Sequence, residues 1–248
     1  AEATGQRRIV EQVFAQQVYA SANIDDRIGT FTSEEQTPLA GMALVNGKRV
    51  EHTADALEKE EEKVREAWDK AHPDKPAAPF AINQIVHKSN DRLAHDMALC
   101  VKYKVPIIIT SLGAREDINA AAHRYGGVVL HDIIHNRHAR NGIELGADGL
   151  IAVAAGAGGH AGVKSPFALI QEIREWFDGP VALSGAIATG DAVLAAQAMG
   201  ADFAYIGSAF IATDEARASE AYKQAIVEAN SDDIVYSNLF TGVHGNYL

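Results

Sequence analysis

The sequence has little cysteine, few basic residues and no long apolar run, and each shortage argues against a class of protein. Cys100 is the only cysteine among 248 residues, so no intramolecular disulfide can form. The 22 Lys and Arg residues against 33 Asp and Glu give a net charge of -11, whereas nucleic-acid binding needs a basic surface. No apolar run approaches the ~20 residues that cross a bilayer. We therefore expect neither a nucleic-acid partner nor a membrane partner.

The compartment and the domain count follow from the same bulk features. Ala1–Gln6 lacks the basic-then-apolar order of a signal peptide, and a lone cysteine fits a reducing compartment, so we expect a cytoplasmic protein. The length of 248 residues is close to the ~250 typical of a (β/α)₈ barrel, a fold that stays one domain at this size. We expect a single domain over residues 1–248.

From residue 79 onward, short apolar runs alternate with amphipathic stretches of helical spacing. Such runs, rich in branched residues, are typical of buried parallel strands. The predicted strands are Pro79–Val86, Pro106–Thr110, Gly127–His131, Gly149–Ala154, Pro180–Ser184 and Phe203–Gly207. The predicted helices are Asp91–Tyr103, Ala114–Tyr125, Arg137–Leu145, Pro166–Phe177 and Asp191–Met199. Strand–helix alternation predicts an α/β fold with helices outside a parallel sheet, here a TIM-type barrel.

The N-terminal region does not follow this alternation. Thr53–Ala71 has the apolar stripe of a helix, and its run of charges from Glu58 to Lys63 is typical of a solvated face. Residues 1–50 are atypical: Ala40–Val45 fits a strand, and Val10–Ala20 fits either a helix or a strand. If the barrel closes, its first two strands must come from this region.

Two strand ends in the last third of the chain have the character of a phosphate site. One strand ends at Ser184 and is followed by Gly185 and Ala186, and the next ends at Gly207 and Ser208. Small residues let a ligand approach the backbone, and N–H groups at a helix start suit an anion. A barrel commonly builds its phosphate site after strands seven and eight. The alternative is that these glycines only permit tight turns.

A third strand end carries one chemically active side chain among small residues. The stretch from Ala152 to Gly162 places Gly158 and Gly159 directly before His160. Bare backbone can lie against a flat, fused aromatic ring, and imidazole is both an acid and a base near neutrality. Catalytic groups of a barrel collect at the C-terminal ends of its strands. We therefore expect His160 to be catalytic, the alternative being an incidental surface histidine.

Other candidates have weaker patterns. His131, His135 and His138 are spaced like metal ligands, but a strand end and a helix start need not converge, so we expect no metal site. Asn83 is polar in an apolar strand, where it either satisfies a neighbour in the core or faces a ligand. Cys100 lies among apolar helical residues and is predicted to be core, not a nucleophile. The chain contains neither a Walker loop nor the dinucleotide-binding fingerprint.

Taken together, these motifs resemble the nitronate monooxygenase family, formerly called 2-nitropropane dioxygenases, over about two thirds of the chain. The matching segments, in the family's order and spacing, are Pro79–Asn83, Gly158–Gly162, Pro180–Gly190, Met199–Asp202 and Ile206–Thr213. Four departures stand out. Ala186 replaces a usual glycine, and Ala155–Ala157 is smaller than in several members. Asp132 stands near the strand end where some members place a lysine toward the phosphate, and residues 1–50 lack the family's first strands.

The resemblance implies an FMN-binding barrel enzyme. Ser184, Gly185, Ala186, Gly207 and Ser208 would hold the FMN phosphate. Asn83, Gly158 and Gly159 would lie near the flavin ring, with His160 as the active-site histidine.

The implied reaction is oxidation of small alkyl nitronates or nitroalkanes with molecular oxygen. Two alternatives stay open: a flavin-dependent NAD(P)H oxidoreductase of the quinone or enoyl-thioester reductase type, and a non-catalytic flavin- or phosphate-binding barrel. A homo-oligomer is compatible with the sequence.

Overall fold

The computed structural model describes residues 42–45, 48–51, 70, 73, 79, 81–213, 216 and 218–248. The chain divides into two compact units. The first takes Ala1–Leu130 with Leu145–Ala147, and the second takes His131–Glu144 with Asp148–Leu248. Strand β5 (Val128–Ile133) contributes residues to both units. The prediction of one domain over residues 1–248 stays a prediction.

The first unit contains an antiparallel hairpin and the start of a parallel sheet. Strands β1 (Met42–Val45) and β2 (Lys48–Glu51) pair with each other, with Met42 opposite Glu51. Strands β3 (Ala81–Ile85) and β4 (Ile107–Ser111) are parallel, with Ala81 opposite Ile107, and the strand order is β3-β4-β5. All five residues of β4 are buried, as expected of a branched strand covered on both faces.

Two helices accompany the strands of the first unit. Helix α1 (Leu93–Lys102) buries Leu93, Met97 and Cys100, and helix α2 (Glu116–His123) buries Ile118 and Ala122, among others. The apolar positions recur at three- and four-residue intervals, so each helix presents one face to the core. The sequence and the structure therefore agree on strand–helix alternation here.

The second unit continues the parallel alternation. Its strand order is β5-β6-β8-β9, in which β6 (Gly149–Val153) pairs in parallel with β8 (Val181–Ser184), and β8 with β9 (Phe203–Ala204). The connecting helices are α3 (Asn136–Glu144), α4 (Pro166–Arg174) and α5 (Gly190–Ala198). Its core is aliphatic and fully enclosed, and includes Ile133, Leu150, Leu169, Ile170, Ile173, Val181 and Leu183.

The helix boundaries lie close to the predicted ones, and they fall at residues that favour a helix start or end. Pro166 occupies the first helical position of α4, and Gly146 and Gly200 adopt φ angles of 94° and 105° just beyond the ends of α3 and α5. Glycine is favoured there because a left-handed backbone carries no penalty without a Cβ. Ser165 precedes α4 at the N-cap, but its side chain makes no capping hydrogen bond, so only its backbone conformation marks the helix start.

Asp202, which follows the end of α5, forms an ion pair with Arg174 of α4. The carboxylate of Asp202 accepts hydrogen bonds from the backbone N–H of Val181 at 2.9 Å and from Arg174 Nη2 at 2.6 Å. The same guanidinium donates to the carbonyl of Gly179 at 2.7 Å. The pair joins α4 to the start of β8 and to the chain before β9. We therefore assign Asp202 a structural role.

Helix α6 (Ser208–Ile211) begins where the sequence indicated a helix start after the last predicted strand. Five further elements were not predicted. These are β7 (Gly159–His160), α7 (Glu220–Glu228), a 3₁₀ turn at Ser231–Asp233, β10 (Val235–Ser237) and β11 (Gly245–Tyr247). Strands β10, β11 and β7 form a small antiparallel sheet in that order. The two-residue β7 is too short to leave a periodic pattern in the sequence.

Of the N-terminal predictions, the structure describes the strand at 42–45 and one residue of the helix. The strand predicted at Ala40–Val45 is present as β1, but it pairs antiparallel with β2 and is not a parallel barrel strand. The predicted helix Thr53–Ala71 is described only at Lys70, which is helical, and the segment Val10–Ala20 lies outside the described residues. Within the described ranges, no helix is both long and apolar enough to cross a bilayer.

Candidate active site

The glycine segment after β6 folds back tightly against its own strand. The N–H of Gly162 donates to the carbonyl of Val153 at 3.3 Å, and the N–H of Ala155 donates to the carbonyl of Lys164 at 2.9 Å. A Cβ on Gly162 would lie 2.9 Å from the Cβ of Ile134, so no larger residue fits. Gly156 turns with φ 88°. The segment is therefore a compact loop that closes on β6 and presents Gly158–His160 at its far side.

His160 is held by the C-terminal strand. In the small sheet, His160 lies opposite Gly245 and Gly159 lies opposite Asn246. The His160 side chain is exposed, and its Nε2 is 2.8 Å from Thr241 Oγ1. Strand pairing fixes the backbone of His160 while the threonine hydroxyl fixes the ring. The structure thus supplies an oriented, solvent-accessible imidazole, as an acid–base group requires.

Several residues around His160 were missed by sequence reasoning. Thr241 Oγ1 is 3.0 Å from the hydroxyl of Tyr247 and 3.1 Å from the carbonyl of Val243. The side chain of Asn246 donates to the carbonyl of Ala157 at 2.7 Å, and the hydroxyl of Tyr236 donates to the carbonyl of Ala161 at 3.3 Å. The glycines at 242 and 245, spaced between polar and aromatic residues, were the available sign of a tight backbone contact.

The turn after β8 approaches the glycine segment through its backbone. Gly185 has φ 158°, and a Cβ there would lie 2.9 Å from the carbonyl oxygen of Ala155. The N–H of Ala186 donates to the carbonyl of Gly156 at 2.9 Å, and Ala186 has φ 52°, a left-handed conformation that strains an alanine. Because its N–H already has this partner, Ala186 is left out of the phosphate contacts. Ser184 and Gly185 stay predictions.

The turn after β9 lies beside the same segment. Gly207 is the N-cap residue of α6 and Ser208 is its first residue, positions whose N–H groups have no intrahelical acceptor. A Cβ on Gly158 would lie 2.7 Å from Ser208 Oγ, so the two turns lie side by side. Ser208 and Gly158 are both exposed. The structure therefore brings together Gly158, Ser208 and, two residues along the chain, His160.

Asn83 lies in the first unit, on β3. Its side-chain Oδ1 accepts a hydrogen bond from Ser111 Oγ at 2.8 Å, and the next residue, buried Gln84, donates from Nε2 to Cys100 Sγ at 3.4 Å. Asn83 is only half-buried and Ser111 is buried. The sequence left two roles open for Asn83, satisfying a neighbour in the core or facing a ligand. The hydrogen bond from Ser111 fits the core role, and contact with a flavin stays a prediction.

The three histidines with metal-ligand spacing do not converge. His131 is buried beside Gly142, where a Cβ would lie 2.3 Å from its Cδ2. His135 and His138 lie side by side at the start of α3, with tilted rings whose centroids are 3.6 Å apart, and His135 Nδ1 accepts from the N–H of His138 at 3.2 Å. Burial, with the nearby His135 and Arg137, lowers the pKa of His138. No group of three or more metal-ligating side chains occurs among the described residues.

Cys100 is an inert core thiol. It is buried in α1, and burial raises its pKa to about 12. A thiol with such a pKa is protonated at neutral pH, and only the thiolate is a strong nucleophile. The expectation that Cys100 lies in the core is confirmed, and the raised pKa fits the prediction that it is not a nucleophile.

The described strands and helices form an α/β fold with a parallel sheet, and comparison with known proteins supplies the family. The family model described as nitronate monooxygenase matches residues 49–245. The chain belongs to the nitronate monooxygenase family, a family of flavin-dependent oxidoreductases. The resemblance and the oxidoreductase class predicted from the sequence are therefore confirmed.

Similar proteins cover the chain only in part. A protein of Staphylococcus haemolyticus, named a probable nitronate monooxygenase, is 28% identical over 160 residues, which are 57% of this chain and 43% of that protein. The structure of FabK from Thermotoga maritima matches with a TM-score of 0.67 at 27% identity, over 79% of this chain and 60% of that one. Nitroalkane oxidase from Streptomyces ansochromogenes also has a TM-score of 0.67, at 24% identity, over 79% and 66% respectively.

These matches confirm the predicted α/β fold with a parallel sheet of the TIM-barrel type. The chain spans less than half the length of the first curated relatives that it matches, 38% and 43% of them.

Proposed function

We propose that this chain forms the active site of an FMN-dependent nitronate monooxygenase, which oxidises small alkyl nitronates or nitroalkanes with molecular oxygen. The observation that carries the proposal is the exposed imidazole of His160. Thr241 orients it at 2.8 Å, and the preceding Gly158 and Gly159 carry no side chain. Family membership supports the oxidoreductase chemistry and the use of a flavin. The choice of FMN, the nitronate substrate and oxygen as the acceptor are our inference from the site.

The residues present fit a flavin phosphate in most respects. Gly207 and Ser208 offer N–H groups at the start of α6, and the exposed Ser208 hydroxyl can donate to a phosphate oxygen. Gly158 lies beside Ser208, since a Cβ there would come within 2.7 Å of Ser208 Oγ. Ala186 is the exception, since its N–H is bound to Gly156. We assign the phosphate to Gly207 and Ser208, with Ser184 and Gly185 as flanking residues.

His160 can serve the reaction in either of two protonation states. As a neutral base, its free nitrogen can take the proton on the carbon beside the nitro group of a neutral nitroalkane. As an imidazolium, it can face the negative charge of a nitronate that has already lost that proton. A bound flavin supplies the electron acceptor for the oxidation. Gly158 and Gly159 keep the approach to the imidazole open because they carry no side chain.

The first experiment is a visible absorption spectrum of the purified chain, with mass spectrometry of the molecule released on denaturation. We expect a yellow protein that releases FMN. Turnover is then measured with a primary alkyl nitronate under air, and separately with NADH and a quinone. Oxygen-dependent nitronate consumption without NADH supports the proposal.

Two other outcomes would replace it. Flavin reduction by NADH, together with inactivity on nitronates, would make the chain a flavin-dependent NAD(P)H oxidoreductase. A colourless protein that cannot be reconstituted with FMN would make it a non-catalytic barrel. A protein that binds FAD and not FMN would keep the family chemistry and overturn the cofactor assignment.

A further inference from the structure

The acid–base group of the proposed site is linked to a second element of the chain through one hydroxyl group. Thr241 Oγ1 lies 2.8 Å from His160 Nε2, 3.0 Å from the Tyr247 hydroxyl and 3.1 Å from the carbonyl oxygen of Val243. His160 is 81 residues away from Thr241 in the sequence, so folding alone makes this contact. The backbone N–H of Val243 also donates to Thr241 Oγ1, at 3.4 Å. These contacts restrict where the single proton of the hydroxyl can be.

The four contacts exceed what one hydroxyl can satisfy, since it has one proton and two lone pairs. We assign the threonine proton to the carbonyl oxygen of Val243, which can only accept. The two shortest contacts are then donated to Thr241, from the Tyr247 hydroxyl and from His160 Nε2, and the N–H of Val243, at 3.4 Å, is the weakest donor. Nε2 can donate only if it carries a hydrogen. In neutral imidazole the other nitrogen is then unprotonated.

The backbone holds this arrangement in place from the other side. A Cβ on Gly245 would lie 2.5 Å from the carbonyl oxygen of Gly159, so β11 approaches β7 more closely than any residue except glycine allows. The side chain of Asn246 donates to the carbonyl of Ala157 at 2.7 Å, which ties β11 to the glycine segment a second time. Backbone packing therefore holds β11, and the chain that leads into it, beside His160.

We propose that Thr241, supported by Tyr247, is a positioning residue that holds neutral His160 as the Nε2–H tautomer and leaves Nδ1 as its basic nitrogen. His160 Nδ1 has no hydrogen-bond partner within the part of the chain that the structure describes. It is thus the nitrogen available to a substrate. The consequence for turnover rests on the proposed function, whereas the tautomer is a property of the folded chain by itself.

The test is a two-bond ¹H–¹⁵N NMR correlation of the histidine rings in the full chain, recorded at a pH where His160 is neutral. The sequence has 10 histidines, so the His160 peaks are identified by their loss in His160→Gln. We expect the wild type to give the pattern of a pure Nε2–H tautomer. An Nδ1–H pattern would overturn the proposal, because Thr241 would then be donating to Nε2.

Three substitutions separate positioning from simple structural support. Thr241→Val keeps the shape and removes the hydroxyl, so we expect a mixture of tautomers. Thr241→Ser restores the hydroxyl and should restore the pure Nε2–H pattern. Thr213→Val is the matched control, since Thr213 also donates its hydroxyl to a backbone carbonyl, that of Phe210 at 2.9 Å. We expect no change there. A wild-type pattern in Thr241→Val would remove Thr241 from this role.

Turnover gives a second, separable readout. If the chain oxidises nitronates or nitroalkanes, Thr241→Val should lower kcat for the neutral nitroalkane about three- to tenfold, the effect of losing one hydrogen bond, with a smaller change in KM. Thr241→Ser should recover most of that loss. An unchanged kcat for the neutral nitroalkane would overturn the catalytic consequence. If no variant and no wild type turns over, the proposed function fails, and the NMR pattern still decides the tautomer.

Discussion

The ends of the parallel strands differ between the two units of the chain. In the first unit they carry polar side chains bonded to one another, such as Ser111 to Asn83 at 2.8 Å. In the second unit they carry glycine and alanine, and the close approaches are between backbone atoms, as at Gly185 and Ala155. The one reactive side chain among the latter is His160. Polar groups bonded to each other stabilise a fold, whereas open backbone N–H groups remain available to a ligand.

This comparison predicts opposite sensitivities. Shortening a side chain at a strand end of the first unit should lower stability, because a buried partner loses its hydrogen bond. Adding a side chain at a strand end of the second unit should weaken ligand binding, because it occupies the space of a ligand.

The largest expected effect is that of removing the imidazole of His160. His160→Ala should keep the flavin and lose turnover by about 10²–10⁴-fold, the usual contribution of a general acid–base group. The measurement is steady-state oxygen consumption with neutral and anionic substrate, normalised to bound flavin. Equal rates for the variant and the wild type on both substrates would remove His160 from the mechanism.

The next effect concerns the backbone at the start of α6. Gly207→Asp adds bulk and negative charge beside the proposed phosphate, so we expect the purified variant to contain no flavin. Gly190→Asp is the matched control, because it adds the same side chain at the start of α5, where no atom lies within 4 Å of the added Cβ. We expect full flavin content in the control. Flavin retained in Gly207→Asp would refute the placement of the phosphate.

A hydroxyl deletion tests the first unit. Ser111→Ala should lower the free energy of unfolding by about 1 kcal/mol, since buried Ser111 loses its hydrogen bond to Asn83. Ser89→Ala removes an exposed hydroxyl that contacts His87 Nδ1 at 2.8 Å, and should change it by less than about 0.5 kcal/mol. Urea unfolding measures both. A Ser111 variant no less stable than the Ser89 variant would contradict the comparison.

Replacing alanine by glycine should change the stability in opposite directions at two positions of the second unit. Ala186 has φ 52°, so Ala186→Gly relieves left-handed strain and should raise stability by up to about 1 kcal/mol. Ala195 is an exposed residue inside α5, so Ala195→Gly should lower stability by about 1 kcal/mol. Thermal unfolding of the two variants gives the signs directly. Destabilisation in both would mean that the turn at Ala186 is not strained.

The smallest effect is a pH dependence of stability. The pKa of His138 is lowered in the folded chain by burial and by His135 and Arg137, so the unfolded chain binds the proton more readily. Stability is then present above the ordinary pKa of histidine, ~6.5, and is lost as the pH falls below it. His138→Gln should flatten the decline between about pH 7.5 and 5.5. An unchanged slope in urea midpoints would remove His138 as its cause.

The alternation of strands and helices was predictable because each element buries its own apolar residues. Branched runs such as Ile107–Ser111 are covered on both faces, and helix stops such as Gly200 require a left-handed residue, so local sequence is sufficient. Strands β10 and β11 were not predicted, since they have only three residues each and β11 pairs with a strand distant in the sequence.

The candidate site divides in the same way. The sequence by itself determined the strand ends, the bare glycine segment and the presence of His160 within it, because these depend on residue type and order. Only the tertiary structure decided that Ala186 gives its N–H to Gly156 and that Gly158 lies against Ser208. It also decided that Thr241 and Tyr247 hold the imidazole. The physical reason is that a hydrogen bond depends on distance in space, and no periodic pattern records a contact across 81 residues of chain.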